Sequence, residues 1–346
     1  MTVERTIKPL GPYSLALSAR RASDTTRRFA GGVLTCVLGN GERASAGQLP
    51  DGRLLVRAES EAGLDELRFV LGVEDDHSPF LERFRDDELL AGSERAGARQ
   101  LPDGRLVLRA ETDAGIEQLR FVLGTDDDHT AFLERFCDDE LLSGPIRHLR
   151  GLRPVRTATV THALLRAIVS QLITSREARA VEWRLLHAAT ERVGKLVAPP
   201  LPHHFARFAP AQLYRFGLPA RKATPLVRIC RTFDPERLRR LPADAAAERL
   251  QRERGIGPYS IGVVWTEGLG RFDRGIVGDL GLLKICSAIE GRWVESEDTA
   301  RILGRYGEWA GLACAYLMAG AARGMVPLKL SPPEVRRERI KARRAA

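Results

Sequence analysis

Two features of residues 254 to 284, RGIGPYSIGVVWTEGLGRFDRGIVGDLGLLK, have the residue types for chemistry on a charged substrate. The first is Gly255-Ile256-Gly257, a turn that suits positive φ and lacks Cβ atoms, closed by Pro258 where a helix can start without its N–H. Such a turn presents backbone N–H groups beside a helix N-terminus and so offers an anion site, although the same pattern also serves as a plain connector. The second feature is Asp279, about twenty residues further on, flanked by Gly278 and Gly281 and followed by an apolar run. An aspartate there reads as a helix N-cap, and a helix N-terminus also holds a carboxylate ionised, so capping and catalysis are compatible.

Such residues need a scaffold, and the chain is long enough to supply one. Its 346 residues allow two or three domains; 44% are apolar, and no apolar run approaches the roughly eighteen residues that span a bilayer. The N-terminal MTVERTIKPLGPYS lacks the basic-then-apolar order of a secretory signal, which predicts a cytoplasmic protein. Cys36, Cys137, Cys230, Cys286 and Cys314 stand singly, so buried thiols are expected rather than a disulfide framework or a zinc site. The net charge of +9 is unevenly spread: residues 1 to 150 carry 20 basic against 27 acidic side chains, and residues 151 to 346 carry 34 against 18. A basic half of that size suits a polyanion, because Lys and Arg on phosphates release condensed counterions; frequent use of arginine is the plain alternative.

The acidic part contains a tandem repeat. Residues 41 to 91 align without gaps on residues 93 to 143, with 35 of 51 positions identical at a period of 52. Two copies are too few for a solenoid, so the pattern is a duplicated segment inside one domain. Each copy reads as a turn (LPDG), a strand (RLLVRAE or RLVLRAE), a helix (AGLDELRFVLG or AGIEQLRFVLG) and an acidic helix start. Strand-like runs at 13 to 19 and 32 to 38 precede copy one. A small α+β domain would use these with one copy and carry the other as an extra layer.

From about residue 145 the pattern turns to helical periods with Pro or Gly breaks. THALLRAIVSQLITSREARAVEWRLLHAATERVG is a helix pair, PAQLYRFGLPARKATPLVRICRTF two short helices around Gly217, and LPADAAAERLQRERGIG a helix stopped by glycine. More helix follows Asp279, and SPPEVRRERIKARRAA, residues 331 to 346, is a solvated basic tail.

The motifs RAIVSQLIT, GLPARKATPL, RGIGPYSI, VGDLGL and WAGLACAYLMAG occur in that order over some 180 residues. Together they resemble the helix-hairpin-helix DNA glycosylase superfamily, and within it the bacterial DNA-3-methyladenine glycosylase II type. The resemblance implies an α+β fold: a small antiparallel β-sheet with helices (residues 1 to 144, with the repeat), then an all-α glycosylase domain of two lobes (residues 145 to 330). It implies a monofunctional hydrolase of base-excision repair that flips an alkylated purine out of double-stranded DNA and cleaves its N-glycosidic bond. On this resemblance Asp279 is the catalytic carboxylate. Tyr259, Trp309, Trp265 and Gln171 line the base pocket, Leu172 is the wedge that fills the vacated stack, and Gly255, Ile256, Gly257 and Ser260 form the phosphate-binding hairpin.

The bifunctional relatives carry a lysine nucleophile where this chain has Tyr259, so no Schiff base is expected. The four clustered cysteines of the iron–sulfur branches have no counterpart. No cofactor is expected, with a monovalent cation at the hairpin compatible with the pattern; the expected protein is a monomer at the nucleoid, without membrane contact. The run YGEWAG departs from the family's Trp-Arg-Pro-Trp-Arg, and Val263 stands where some members carry an aromatic ring. These changes put the base spectrum in question. Two further readings stay open: a catalytically inactive paralogue that only binds DNA, and a glycosylase for oxidised or deaminated bases.

Overall fold

The structure is a computed structural model that describes residues 3–7, 9–19, 24–39, 43–48, 54–58, 99–100, 106–110, 113–171 and 173–326. The tail and the helix expected over residues 62 to 72 lie outside that set. In chain order the first elements are β1 (Val3–Ile7), α1 (Leu15–Ala19), β2 (Arg27–Ala30), β3 (Val33–Val37), β4 (Arg43–Gln48), β5 (Leu54–Ala58), β6 (Arg99–Gln100), β7 (Leu106–Ala110) and α2 (Asp113–Leu123). Next come α3 (Thr130–Arg135), α4 (Ser143–His148), α5 (Val160–Val169), α6 (Ser175–Ala189), β8 (Arg192–Val193), β9 (Leu196–Val197), α7 (Pro202–Ala206), α8 (Ala220–Thr232) and α9 (Ala243–Gln251). The last are α10 (Pro258–Val263), which runs into a π-helical segment Val264–Leu269, then α11 (Leu280–Glu290), α12 (Ser296–Gly304) and α13 (Ala310–Ala321).

The chain divides into two compact units, one of Met1–Thr130 with Gly151–Gly270, the other of Ala131–Arg150 with Arg271–Ala346. This division differs from a boundary at residue 144. In the first unit the strap after Gly151 is built into the N-terminal part: the fully buried Arg153 donates to the carbonyls of Gly124 and Leu10, and Arg27 donates to the carbonyl of Arg156. The run expected as a strand at 13 to 19 is instead α1. Leu15, Ser18 and Ala19 are its buried residues, a three-to-four spacing that suits a helix, and Ser14 caps it by accepting from Leu17 N–H at 3.3 Å.

The sheet of the first unit shows what the duplication does. Hairpin β4–β5 pairs Gln48 with Leu54, and hairpin β6–β7 pairs Gln100 with Leu106, the same register 52 residues later. Both hairpins address one partner: β1 sets Val3 opposite Ala58 and equally opposite Ala110, Ile7 opposite Leu54 and equally opposite Leu106. Since β5 and β7 each lie between β1 and β4, the two copies carry the same strand for one position. One place in a sheet takes one strand at a time, so the two copies are interchangeable there: register follows the alternation of side chains, and the two strands have the same alternation in sequence. On one face Leu34, Cys36, Leu106 and Leu108 pack with Ile116, Leu119 and Leu123 of α2, all at most 2% exposed.

In the second unit, α13 is apolar almost throughout and packs among α4, α11 and α12. Its Gly320 lies so close to Pro145 that a Cβ there would sit 2.6 Å from the ring. The Phe132 ring lies tilted 5.3 Å from that of Tyr316, whose hydroxyl donates to Leu149 O at 3.3 Å. Four of the five cysteines are buried free thiols; Cys137 is exposed, contrary to expectation.

Candidate functional site

The glycine turn is built by α9 and α10. Helix α9 ends at Gln251, and Ile256 N–H donates to Glu253 O at 3.0 Å, turning the chain back. Gly255 has φ +94, and a Cβ on it would lie 3.1 Å from the Pro225 ring, so both conformation and space call for glycine. Gly257 differs from expectation. Its φ is −101, which any residue adopts, and a Cβ would meet nothing within 4 Å, so it leaves bare backbone facing open space rather than serving the fold. Ile256 is buried and anchors the turn, and Pro258 opens α10 as expected.

Gln171 and Ser260 meet here. The Gln171 side-chain amide donates to Gly255 O at 3.1 Å and to Ser260 Oγ at 2.9 Å. Ser260, 1% exposed, thus turns its hydroxyl inward to Gln171, so its side chain does not join a phosphate surface. Leu172, the expected wedge, lies outside the described residues. Lys222 of α8 is a neighbour that sequence reasoning missed: its ammonium donates to Val169 O at 3.1 Å and to Gln171 O.

Asp279 is the N-cap of α11, as expected. Its Oδ1 accepts from Gly281 N–H at 2.7 Å and Leu282 N–H at 3.0 Å, while Oδ2 has no hydrogen-bond partner among the described residues. Gly278 is called for by its conformation, and Gly281 is closely packed. Gly278 has φ +77 and a Cβ would lie 2.7 Å from Ser296 Oγ; at Gly281 a Cβ would lie 2.7 Å from Met318 Cε and 3.0 Å from the Asp279 carboxylate itself. Gly278 N–H donates to Thr299 Oγ1 at 3.0 Å, tying the loop to α12. Burial raises the Asp279 carboxyl above its usual value, outweighing the two cap N–H groups and Lys284, which lower it. The cap N–H groups favour the ionised form, as expected of a helix N-terminus, but desolvation of the half-buried side chain is the larger effect.

The three aromatic residues separate. Trp309 is half-buried at the start of α13, with its ring 6.0 Å from Phe132, and Tyr259 is half-buried in the first turn of α10. Trp265 is 0% exposed, the largest fully buried side chain among the described residues, so it is a core residue and presents no ring face to a base. It sits in the π-helical segment beside α5, where a Cβ on Gly268 would lie 2.8 Å from Ala163 Cβ.

Behind the hairpin half lies an ion network with no signal in the local sequence. Arg166, from the RAIVSQLIT motif, pairs with Asp24 at 3.1 Å and Glu267 at 2.9 Å; Asp24 also pairs with Arg27 at 2.9 Å, and His162 Nε2 lies 2.7 Å from Glu182. Ligand-type atoms of Asp24, His162 and Glu182 gather within 4.8 Å. Two guanidinium groups already neutralise Asp24, which makes the cluster a charge-paired network rather than a cation cage.

Solved structures with a similar fold include DNA glycosylases. A 3-methyladenine DNA-glycosylase from Archaeoglobus fulgidus superposes with a TM-score of 0.63 at 17% identity, covering 92% of this chain and 98% of its own. A Clostridium acetobutylicum 8-oxoguanine glycosylase/lyase bound to double-stranded DNA gives 0.62 at 13% identity, covering 94% and 99%. The MBOgg1 complex with a low-affinity DNA ligand gives 0.64 at 14%, covering 93% and 96%. No family model matches the chain, and no curated protein matches it.

Proposed function

We propose that this protein is a monofunctional DNA glycosylase that extrudes an alkylated purine of the 3-methyladenine type from duplex DNA and hydrolyses its N-glycosidic bond. The observation that carries the reading is Asp279: one carboxylate oxygen is spent on the helix cap, the other accepts no hydrogen bond among the described residues, and Gly278, at φ +77, sets the loop that holds it.

Each residue then has a physical task. The bare backbone at Gly257 and the first turn of α10 take a DNA phosphate, since N–H groups at a helix start favour an anion. Leu172 fills the stack from which the base has left. The half-buried rings of Tyr259 and Trp309 offer π-faces to a purine that alkylation has made cationic. As the C1′–N bond breaks, its electron pair leaves with the base, which departs neutral, and the sugar becomes an oxocarbenium ion. The Asp279 carboxylate stabilises that cation and orients the water whose oxygen bonds to C1′, the released proton passing to the carboxylate or solvent. With Tyr259 in place of a lysine there is no amine to attack C1′, so the product is an abasic site in an intact strand.

The test is release of labelled bases from alkylated duplex DNA, resolved by chromatography. Release of 3-methyladenine by the wild-type protein supports the reading. Binding without release would leave a DNA-binding protein only, and release confined to duplexes holding oxidised or deaminated bases would reassign the substrate.

A further inference from the structure

The GLPARKATPL motif has no task in the mechanism above, yet it lies at the start of α8 and touches both parts of the hairpin half. Lys222 is 8% exposed, and its ammonium donates to Val169 O, the last residue of α5, and to Gln171 O just beyond it. A cation at the C-terminal carbonyls of a helix is favourable and directional. Gln171 then reaches across with its side-chain amide to Gly255 O and Ser260 Oγ. The same helix α8 holds the turn directly: Pro225 packs on Gly255, Arg228 Nε pairs with Glu253 at 3.0 Å, and Arg228 Nη2 donates to Arg254 O at 3.0 Å.

Packing holds Val169, which is buried, but leaves Gln171 only half-buried. A cavity of about 130 Å³, lined among others by Val169, Gln171, Ile173, Leu218 and Lys222, lies against it. Beside such a pocket Gln171 relies on its hydrogen bonds, and those of Lys222 to the main chain are charge-assisted. A proline inside α8 removes a helical hydrogen bond, a cost consistent with its ring being needed against Gly255.

We infer that Lys222 is a positioning residue: through the carbonyls of Val169 and Gln171 it fixes the end of α5 and Gln171 relative to the hairpin turn that Gln171 contacts. The inference rests on the glycosylase reading for its consequence, which is that Lys222 sets the efficiency of base extrusion and not of bond cleavage. It therefore matters where the lesion is well paired and stacked, and hardly at all where the lesion has no partner base, since extrusion there costs less.

The test uses the full chain with Lys222→Met, which keeps the alkyl stem, and Lys222→Arg, which keeps charge and donors. Base release is followed from a duplex with a paired lesion and from one with the lesion opposite an abasic gap. The expected result for Lys222→Met is a loss of about tenfold or more on the paired lesion, as for a change of one flipping-scale interaction, and little change opposite the gap. Lys222→Arg should recover much of the loss. Equal losses on both duplexes would overturn the inference. Amide hydrogen exchange on free protein separates this from failure of the glycosylase reading: residues 169 to 171 and 255 to 260 should exchange faster in Lys222→Met while α13 does not. Unchanged exchange in those two segments would overturn the positioning role even if no base is released by any variant, and if Lys222→Met does not fold, the same readouts on Lys222→Gln decide.

Discussion

Replacing Asp279 by asparagine isolates charge from structure at the residue on which the mechanism turns. The amide oxygen of asparagine can accept from Gly281 and Leu282 N–H as Oδ1 does now, and asparagine caps helices about as well as aspartate, so α11 keeps its start. Folding raises the Asp279 pKa through burial. Its ionised form therefore opposes folding at neutral pH; the stability it contributes is present below the ordinary aspartate range and is lost as pH rises through the folded value. Removing the charge should leave thermal stability at neutral pH equal to wild type or slightly higher. Chemistry should respond very differently. A carboxylate about 4 Å from a full positive charge at an effective dielectric of about 20 is worth about 4 kcal/mol, which corresponds to about a thousandfold in rate. Single-turnover release of base from methylated duplex should fall by that order in Asp279→Asn, with DNA affinity within a few fold of wild type. The wild-type rate should rise with pH as Asp279 ionises, with a midpoint above 3.8, and that limb should vanish in the variant. A variant that releases base within threefold of wild type would refute the reasoning, because no other step depends on that charge.

Three further outcomes follow from the same structure. Tyr259→Lys places an amine at the start of α10, and it should yield a borohydride-trappable complex with DNA together with strand nicking; an absence of trapping would count against Tyr259 facing the sugar. Deleting residues 41 to 92 removes one of two hairpins with the same register toward β1, so the remaining copy should complete the sheet and preserve base release; a large loss of catalysis would contradict this. Burial raises the Asp127 carboxyl, but the adjoining Arg156 and His129 outweigh it and hold it well below the usual range, so its contribution is full above about pH 4 and is lost as pH falls. Asp127→Asn should thus lower the unfolding midpoint at neutral pH while losing less stability than wild type on acidification, as thermal melts across pH would record.

What could be read from sequence is what is locally determined. The Gly255 turn, the Pro258 helix start and the Asp279 cap are each fixed by backbone conformation within four residues, and each stands where its residue types put it. The duplicated strands could be recognised, but not their shared position, because strand patterning gives a register and a face without naming the neighbour. Residues 13 to 19 form too short a run to separate a helical from a strand period; the cap by Ser14 and burial of Leu15 and Ala19 decide it. Trp265 and Trp309 are equivalent as letters in apolar runs, and tertiary packing alone makes one fully buried and leaves the other half-exposed. Lys222 and Arg166 lie in motifs that can be quoted, yet their partners stand 51 to 53 residues away for the one and 142 for the other contact with Asp24, beyond any local pattern.

The most direct measurement is product analysis after wild-type protein acts on end-labelled duplex DNA carrying 3-methyladenine. The account predicts free 3-methyladenine and a strand that stays full length until alkali or heat is applied. Recovery of the lesion still attached to its sugar, or strands already cut before that treatment, would contradict it.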